Sequence, residues 1–176
     1  IEAEQELIML ASDIMREFGA DDDMYCLRLN SRKMMDFVLN DYLALNTEQS
    51  HQIAKLIDRR EKIEKKDFNA QAADILKTAP SSSEIINKLE DVLNAVSCDK
   101  LPEAVKKHES VKELTQLLEK LEDAGVNNVS FDPCIMRGFD YYTDIVFELF
   151  DNDKENNRSM FGGGRYDGLV GMFGVD

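Results

Sequence analysis

Apolar residues recur every three or four positions along much of the chain, a spacing typical of amphipathic helices. The first such run covers residues 4–18 and ends at Gly19, a residue suited to a helix C-terminus. Residues 24–29 instead alternate apolar and polar side chains, which predicts a strand. Asn30 and Ser31 follow as N-cap residues of a second helix. The chain is therefore predicted to open with a helix, a strand and a helix.

The strand pattern then disappears from residue 46 until residue 126. Asn46 and Thr47 are suited to cap a helix that the apolar spacing predicts as far as residue 66. Three further helices are predicted, over residues 67–78, 84–96 and 111–124, and the serines at 81–83 are expected to cap the middle one. We therefore divide the chain into two parts of one α/β domain, at residues 1–45 and 111–176, and a helical insertion domain at residues 46–110.

The last part of the chain has the strand signals that the middle lacks. Strands are expected over residues 126–131 and 141–150, and a return strand begins at Ser159 after a polar hairpin loop. Because neighbouring side chains of a strand point to opposite faces, Tyr141 and Tyr142 are expected on opposite sides of the sheet. A helix can begin at about Arg165. The pattern predicts an α+β fold with a mixed or antiparallel sheet, flanking helices and an all-helical insertion.

Charge is unevenly distributed along the 176 residues, whose formal net charge is −14. This balance argues against a general nucleic-acid-binding protein. Residues 46–110, however, carry 11 Lys and Arg against 12 Asp and Glu, whereas the remainder carries 10 against 23. Four basic residues in this segment recur at three- and four-residue intervals, as on one helix face: Lys55, Arg59, Lys62 and Lys66. They are candidates for phosphate contacts, and the alternative is a solvated face with nearby acidic partners.

Cysteine and histidine usage points away from disulfides and metals. The three cysteines are far apart in the sequence, which predicts neither a disulfide framework nor a clustered metal site and favours the reducing cytoplasm. His51 and His108 are single and are expected at the surface, so no metal is predicted. No apolar run reaches the roughly 20 residues of a membrane helix. Because the chain begins with Ile1 inside a helical pattern, we expect it to be a fragment of a longer protein.

Two short motifs carry the chemistry. The first is Arg-Gly-Phe-Asp-Tyr-Tyr-Thr at residues 137–143, and the second is Gly-Gly-Gly-Arg-Tyr-Asp-Gly at residues 162–168. Arginine offers a fork of donors suited to carboxylate or phosphate, glycine allows close approach of the backbone, and tyrosine offers a flat wall with a polar tip. Together they indicate a site for an anionic, partly aromatic small molecule. The alternative is two turns and a hairpin without a ligand.

These motifs resemble the two histidine-binding signatures of histidyl-tRNA synthetases, which are class II aminoacyl-tRNA synthetases. The first signature usually has leucine where Phe139 stands, followed by a strand ending Val-Phe-Glu, as residues 145–148 do here. The second usually reads Gly-Gly-Arg-Tyr-Asp, as residues 163–167 do. One departure is Asp144, where the family commonly has a small or neutral residue. A carboxylate there would either weaken binding of anionic ATP or point outward.

The resemblance implies roles for individual residues. Arg137 matches the arginine that contacts the histidine carboxylate and the α-phosphate of ATP, where negative charge builds up during amino-acid activation. The resemblance places Tyr142 near the imidazole, and the remaining candidates for the histidine pocket are Tyr141, Gly163, Gly164 and Tyr166. The implied substrates are histidine, ATP with magnesium, and tRNA(His), and the implied parent is a homodimer. The insertion would lie beside the acceptor arm of the tRNA.

Other family motifs are absent from these 176 residues, including the dimer-forming segment and the two arginines that bind ATP. We therefore expect a histidine–tRNA ligase as the parent, and expect this chain alone to be inactive and to bind no cofactor tightly. A second possibility is a non-catalytic relative, either a regulatory subunit of histidine biosynthesis or a synthetase-like sensor domain. A helical interaction module on a small sheet is a third.

Overall fold

Four strands pair into one mixed sheet in the order β2-β1-β3-β4. The computed structural model describes residues 1–136, 141–153, 155–156 and 158–174. The strands are β1 Tyr25–Ser31, β2 Val129–Phe131, β3 Ile145–Asp151 and β4 Ser159–Gly164. The helices are α1 Glu2–Glu17, α2 Arg32–Phe37, α3 Thr47–Ile57, α4 Lys65–Ile75, α5 Ser82–Leu93, α6 Glu103–Lys106 and α7 Glu109–Asp123. A π-helical turn, Val38–Tyr42, continues α2, and short 3-10 turns occupy Arg60–Lys62, Cys98–Lys100 and Val170–Phe173.

The sheet has one face packed in the core and an opposite face that carries polar side chains. Strand β1 pairs parallel to β2 and antiparallel to β3, and β3 pairs antiparallel to β4. Alternation along β1 and β3 buries Leu27, Leu29 and Leu149 in the core together with side chains of α1 and α7. Arg28 and Glu148, which are register partners, lie on the opposite face. The predicted fold class, a mixed sheet with flanking helices and an all-helical middle, is confirmed.

The helical segment 46–110 shares its buried core with the sheet. Ile53 of α3 and Leu89 of α5 belong to the same continuous apolar cluster as Leu29 of β1. Asn46 begins the segment as predicted: its side chain accepts the Gln49 backbone N–H at 2.9 Å, and the Gln49 side chain accepts the Asn46 N–H in return. Among the described residues, no helix is long and apolar enough to cross a membrane.

The prediction of one helix over residues 46–66 is wrong. Helix α3 ends at Ile57, and α4 begins only at Lys65 after an extended Ile63 (φ −130°, ψ 154°). The sequence between Ile57 and Ile63 is entirely polar, so a continuing helix would have no apolar face to bury there. The four basic candidates therefore do not share one helix face. Lys55 lies on α3 and Lys66 lies on α4. Arg59 and Lys62 lie in the turn between these two helices.

Three smaller predictions also need correction. Ser81 precedes α5 with a left-handed backbone (φ 60°) and makes no side-chain cap, because that conformation turns its hydroxyl away from the first helical turn. Strand β3 begins at Ile145 rather than at residue 141. No α-helix follows Arg165 within the described residues; the chain there forms turns and the 3-10 turn Val170–Phe173. Gly19 and Gly125 do end α1 and α7 as predicted, both with φ of 84°.

Candidate functional site

The two motifs meet where β3 and β4 pair. The Thr143 N–H donates to the Arg165 carbonyl at 2.8 Å, and the Arg165 N–H donates to the Ile145 carbonyl at 2.8 Å. The Thr143 hydroxyl also donates to the Asp167 carboxylate at 2.8 Å. These bonds extend the ladder between β3 and β4 by one step and join the first motif to the second. The described parts of the two motifs thus form one structural unit.

Arg165 and Asp167 hold this unit against α1. The Arg165 guanidinium contacts Asp167 at 2.8 Å and Glu4 of α1 at 2.9 Å. Hydrogen bonds from Arg165, and then from Thr143, lower the pKa of the Asp167 carboxyl below its usual value. Bonds to Asp167 and Glu4 raise the pKa of Arg165 in turn. Both charged groups of the second motif are therefore occupied by protein partners.

Three tyrosines from the two motifs form an aromatic cluster. The ring centroids of Tyr141 and Tyr142 lie 4.5 Å apart, and Tyr166 lies 5.3 Å from the first and 6.5 Å from the second. The prediction that Tyr141 and Tyr142 face opposite sides of a strand is wrong. They precede β3 in a turn, where the alternation of a pleated strand does not apply. Tyr141 is 44% exposed, whereas Tyr142 is half-buried.

The glycines of the second motif make room for the protein's own rings. A Cβ atom on Gly164 would lie 2.9 Å from two carbons of the Tyr142 ring and 2.9 Å from the Ile145 carbonyl oxygen. A Cβ atom on Gly163 would lie 3.1 Å from the Phe147 ring, on the other side of β4. Real Cβ atoms do not approach backbone this closely, so Gly164 is required for Tyr142 to lie against β4. Gly164 thereby determines how closely Tyr142 approaches β4, and Gly163 accommodates Phe147 on the opposite side of the strand.

A cleft opens on the face of the sheet against which Tyr142 packs. Tyr142 packs against a small apolar cluster formed by Ile135, Val146 and Phe150. Ile135 and Phe150 also line a cleft of about 490 Å³, which lies between the turn after α3 and the β3–β4 hairpin. The charged side chains along the cleft include Glu61, Lys62, Asp132, Glu148 and Arg158. Glu148, which we expected at the end of the strand, instead lies in the middle of β3.

The segment that leads into the first motif is held by Asn30. This buried side chain donates to the carbonyls of Pro133 at 3.1 Å and Ile135 at 3.0 Å, and it accepts the Ser31 N–H at 2.8 Å. Sequence reasoning assigned Asn30 only to a helix cap. The sequence feature that could have indicated this role is a polar residue at the end of a mostly apolar strand. Arg137 itself follows this segment and lies, with residues 138–140, outside the described residues.

Asp144 lies inside the protein. The residue is 5% exposed, and its carboxylate accepts the Ser31 hydroxyl at 3.1 Å and contacts the Lys33 ammonium at 2.6 Å. The hydrogen bond to Asp144 raises the pKa of Lys33. Of the two alternatives for this carboxylate, the one in which it points outward is therefore wrong, since the carboxylate has partners at the start of α2.

The four basic candidates are exposed but are not brought together by a common helix face. Arg59 contacts Gln71 at 3.4 Å, and Lys62 lies along the cleft. Their neighbour Arg60, which we did not single out, is tied to the end of α5 by the Leu93 carbonyl at 2.9 Å. Arg60 also lies 3.4 Å from the sulfur of Cys134, whose pKa burial raises to about 11, so this thiol stays protonated. Within the described part of the chain, no three His, Cys, Asp or Glu side chains converge as metal ligands.

Comparison with known proteins identifies the family. The sequence model described as histidyl-tRNA synthetase matches residues 1–176. The chain is 36% identical over 174 residues to the histidine–tRNA ligase of Leptospira biflexa, and 30% identical over 172 residues to that of Thermoplasma volcanium. These alignments cover 97% and 98% of the chain but 39% of each relative. The chain thus spans about two fifths of the length of the curated relatives it matches.

Solved structures show the same fold. A histidyl-tRNA synthetase from Nostoc sp. PCC 7120 superposes with a TM-score of 0.80 at 23% identity, over 97% of this chain and 41% of that one. An ATP phosphoribosyltransferase regulatory subunit/histidyl-tRNA synthetase from Bacillus halodurans superposes with a TM-score of 0.78 at 20% identity, over 98% of this chain and 45% of that one. The two motifs, the fold and the family match over residues 1–176 agree, so the predicted family is confirmed. The chain belongs to the histidyl-tRNA synthetase family.

Proposed function

We propose that this chain is part of a histidine–tRNA ligase and supplies one side of its histidine pocket. The observation that supports this most directly is the union of the two motifs, in which Thr143 binds Arg165 and Tyr142 lies against Gly164. Neither motif alone would bring the three tyrosines together, since Tyr141 and Tyr142 come from the first motif and Tyr166 comes from the second. The remaining walls come from other parts of the parent, since the chain covers 39% of its Leptospira relative.

The described residues suit an imidazole ligand. The ring centroids of Tyr141, Tyr142 and Tyr166 lie within 6.5 Å of each other with the ring planes tilted by 38° to 81°, an aromatic cluster against which a flat ring can pack. A tyrosine hydroxyl both donates and accepts hydrogen bonds, as a neutral imidazole does through its two nitrogens. In this proposal Tyr142 binds the imidazole, Tyr141 and Tyr166 complete the aromatic cluster, and Gly164 makes room for the Tyr142 ring.

Amino-acid activation then requires a cation at the reacting phosphate. A carboxylate oxygen of histidine attacks the α-phosphorus of ATP, the bond to pyrophosphate breaks, and histidyl-adenylate forms. Negative charge increases on the phosphoryl oxygens in the transition state, and a guanidinium placed there stabilises it. We assign this role to Arg137. Magnesium accompanies ATP as part of the substrate, and transfer of histidine to tRNA(His) follows in the complete, homodimeric, cytoplasmic enzyme.

A non-catalytic relative is the second candidate. Its support is structural: the chain also superposes, with a TM-score of 0.64 at 16% identity, on a chain of an ATP phosphoribosyl transferase complex from Thermotoga maritima. The enzyme is favoured because Arg137, Tyr142 and the Gly-Gly-Arg-Tyr-Asp sequence are all present. Histidine-dependent exchange of labelled pyrophosphate into ATP by the full-length parent separates the two candidates. We expect exchange, and a folded parent that binds histidine without exchange would favour the regulatory role.

A further inference from the structure

Asp144 joins two distant parts of the chain. Its carboxylate accepts the Ser31 hydroxyl at 3.1 Å and contacts Lys33 at 2.6 Å, while its backbone carbonyl accepts the Arg32 N–H at 2.9 Å. The three partners are consecutive residues at the junction of β1 and α2. An acid this deeply buried needs such partners, because an unpaired carboxylate would be costly to remove from water.

The Ser31 hydroxyl couples this contact to the start of α2. It accepts the Met34 N–H at 3.3 Å as the helix N-cap, so its single proton is available for Asp144. A continuous series of hydrogen bonds therefore runs from the Met34 N–H through Ser31 to Asp144. Such a series orients each member more firmly than an isolated bond would.

Thr143, the residue before Asp144, is held by the second motif. Thr143 binds the Arg165 carbonyl and the Asp167 carboxylate, both at 2.8 Å, so it is tied to the second motif. Residues 143 and 144 are thus held between α2 and the extension of β4. Tyr142 immediately precedes them, and its ring fills the space above Gly164.

We propose that Asp144 is a positioning residue for Tyr142, and that the Ser31–Asp144–Lys33 cluster sets where this tyrosine meets the imidazole of histidine. The inference rests on the proposed function. It assigns a purpose to Asp144, which departs from the small or neutral residue that the family commonly has after the first motif. A residue that serves stability alone would affect unfolding without a selective effect on histidine.

A double-mutant cycle in the full-length parent tests the proposal. Asp144→Asn keeps the shape of the side chain and removes its charge, and Tyr142→Phe removes the hydroxyl that contacts the ligand. Each change is expected to raise the KM for histidine in pyrophosphate exchange by about tenfold, with little change in the KM for ATP. The double variant is expected to be little worse than either single variant, because both changes remove the same contact.

Glu90→Gln is the matched control. Glu90 is a similarly shielded acid on α5, paired with Arg60 at 3.2 Å and Lys65 at 3.3 Å, and its change is expected to add independently to that of Tyr142→Phe. If Asp144→Asn does not fold, Ser31→Ala and Lys33→Met each remove one contact and take its place in the cycle. An unchanged KM for histidine, or additive effects, would overturn the positioning role while Tyr142→Phe still supports the pocket. Absence of histidine-dependent exchange in the unmodified parent would instead overturn the proposed function.

Discussion

Tyr142 lies so close to Gly164 that a Cβ atom at position 164 would come within 2.9 Å of its ring. Gly164→Ala in the full-length parent is therefore expected to displace the tyrosine and to raise the KM for histidine. Overpacking of this kind costs about 1–3 kcal/mol. Gly168→Ala is the matched control from the same motif, because its Cβ would meet the Tyr166 ring at an ordinary 3.8 Å. Equal KM values for the two variants in pyrophosphate exchange would contradict a ligand-binding role for Tyr142.

Arg137→Ala is expected to reduce the rate of adenylate formation far more than it reduces histidine binding. Loss of a transition-state charge contact typically costs about 3–4 kcal/mol, or a factor of 10²–10³ in rate. Single-turnover measurement of histidyl-adenylate in the parent, with histidine binding measured by calorimetry, separates the two effects. Arg16→Ala, which removes an arginine of α1 that pairs with Asp22, is the control. A variant that forms adenylate at the parental rate would exclude the role assigned to Arg137.

The basic residues around the turn after α3 are expected to contact the acceptor arm of tRNA. Reversing the charges of Lys55, Arg59, Lys62 and Lys66 together should raise the KM for tRNA and leave adenylate formation intact. Because phosphate contacts release counterions, the difference should shrink as salt is increased. Since these residues lie on three different elements, single reversals should have unequal effects. Lys77→Glu and Lys88→Glu reverse charges elsewhere in the helical segment and serve as controls. An equal KM for tRNA in the fourfold variant and the parent across the salt series would contradict the tRNA contact.

The 176-residue chain by itself is expected to show no histidine-dependent exchange of pyrophosphate into ATP. The reason is chemical: it lacks the arginines that bind ATP in the family motifs, so the triphosphate has no complete site. The measurement is the same exchange assay, with the full-length parent as the positive control. Turnover above background by the purified chain would show that its residues suffice for activation.

His108 has a structural role that the sequence did not suggest. Its ring stacks on Phe37 with centroids 4.2 Å apart, and its Nδ1 accepts the Ser110 N–H at 3.4 Å as the N-cap of α7. His108→Ala is expected to lower the free energy of unfolding by about 1 kcal/mol through loss of the cap. His108→Asn should retain most of the capping energy, although it loses the stacking. Urea unfolding of the chain and both variants measures this, and equal midpoints for all three would contradict it.

Local chemistry predicted much of the fold. The glycine ends of α1 and α7, the cap at Asn46 and the strand character of β1 all depend on residues within a few positions of each other. The break after Ile57 was missed because the prediction followed the recurrence of charges into a stretch that has no apolar residue to bury. Arg60 then holds the resulting turn through the Leu93 carbonyl, 33 positions away.

The candidate site was predictable only in part, because some of its contacts join residues that are far apart in the sequence. The composition of the motifs predicted a site for an anionic, partly aromatic ligand. The contact between Asp144 and Ser31, however, joins residues 113 positions apart. No rule of spacing brings such residues together, because their meeting depends on the pairing of β1 with β3.

The bond between Thr143 and Arg165 also bears on how such a protein can change over generations. A substitution that shifts the first motif alters the backbone partner of the second, so each motif forms part of the environment in which the other is selected. We expect a chimera that exchanges only one of them with a distant relative to be less active than one that exchanges both. The two motifs would then be inherited as a single unit, although 18 residues separate Thr143 from Gly162 in the printed sequence.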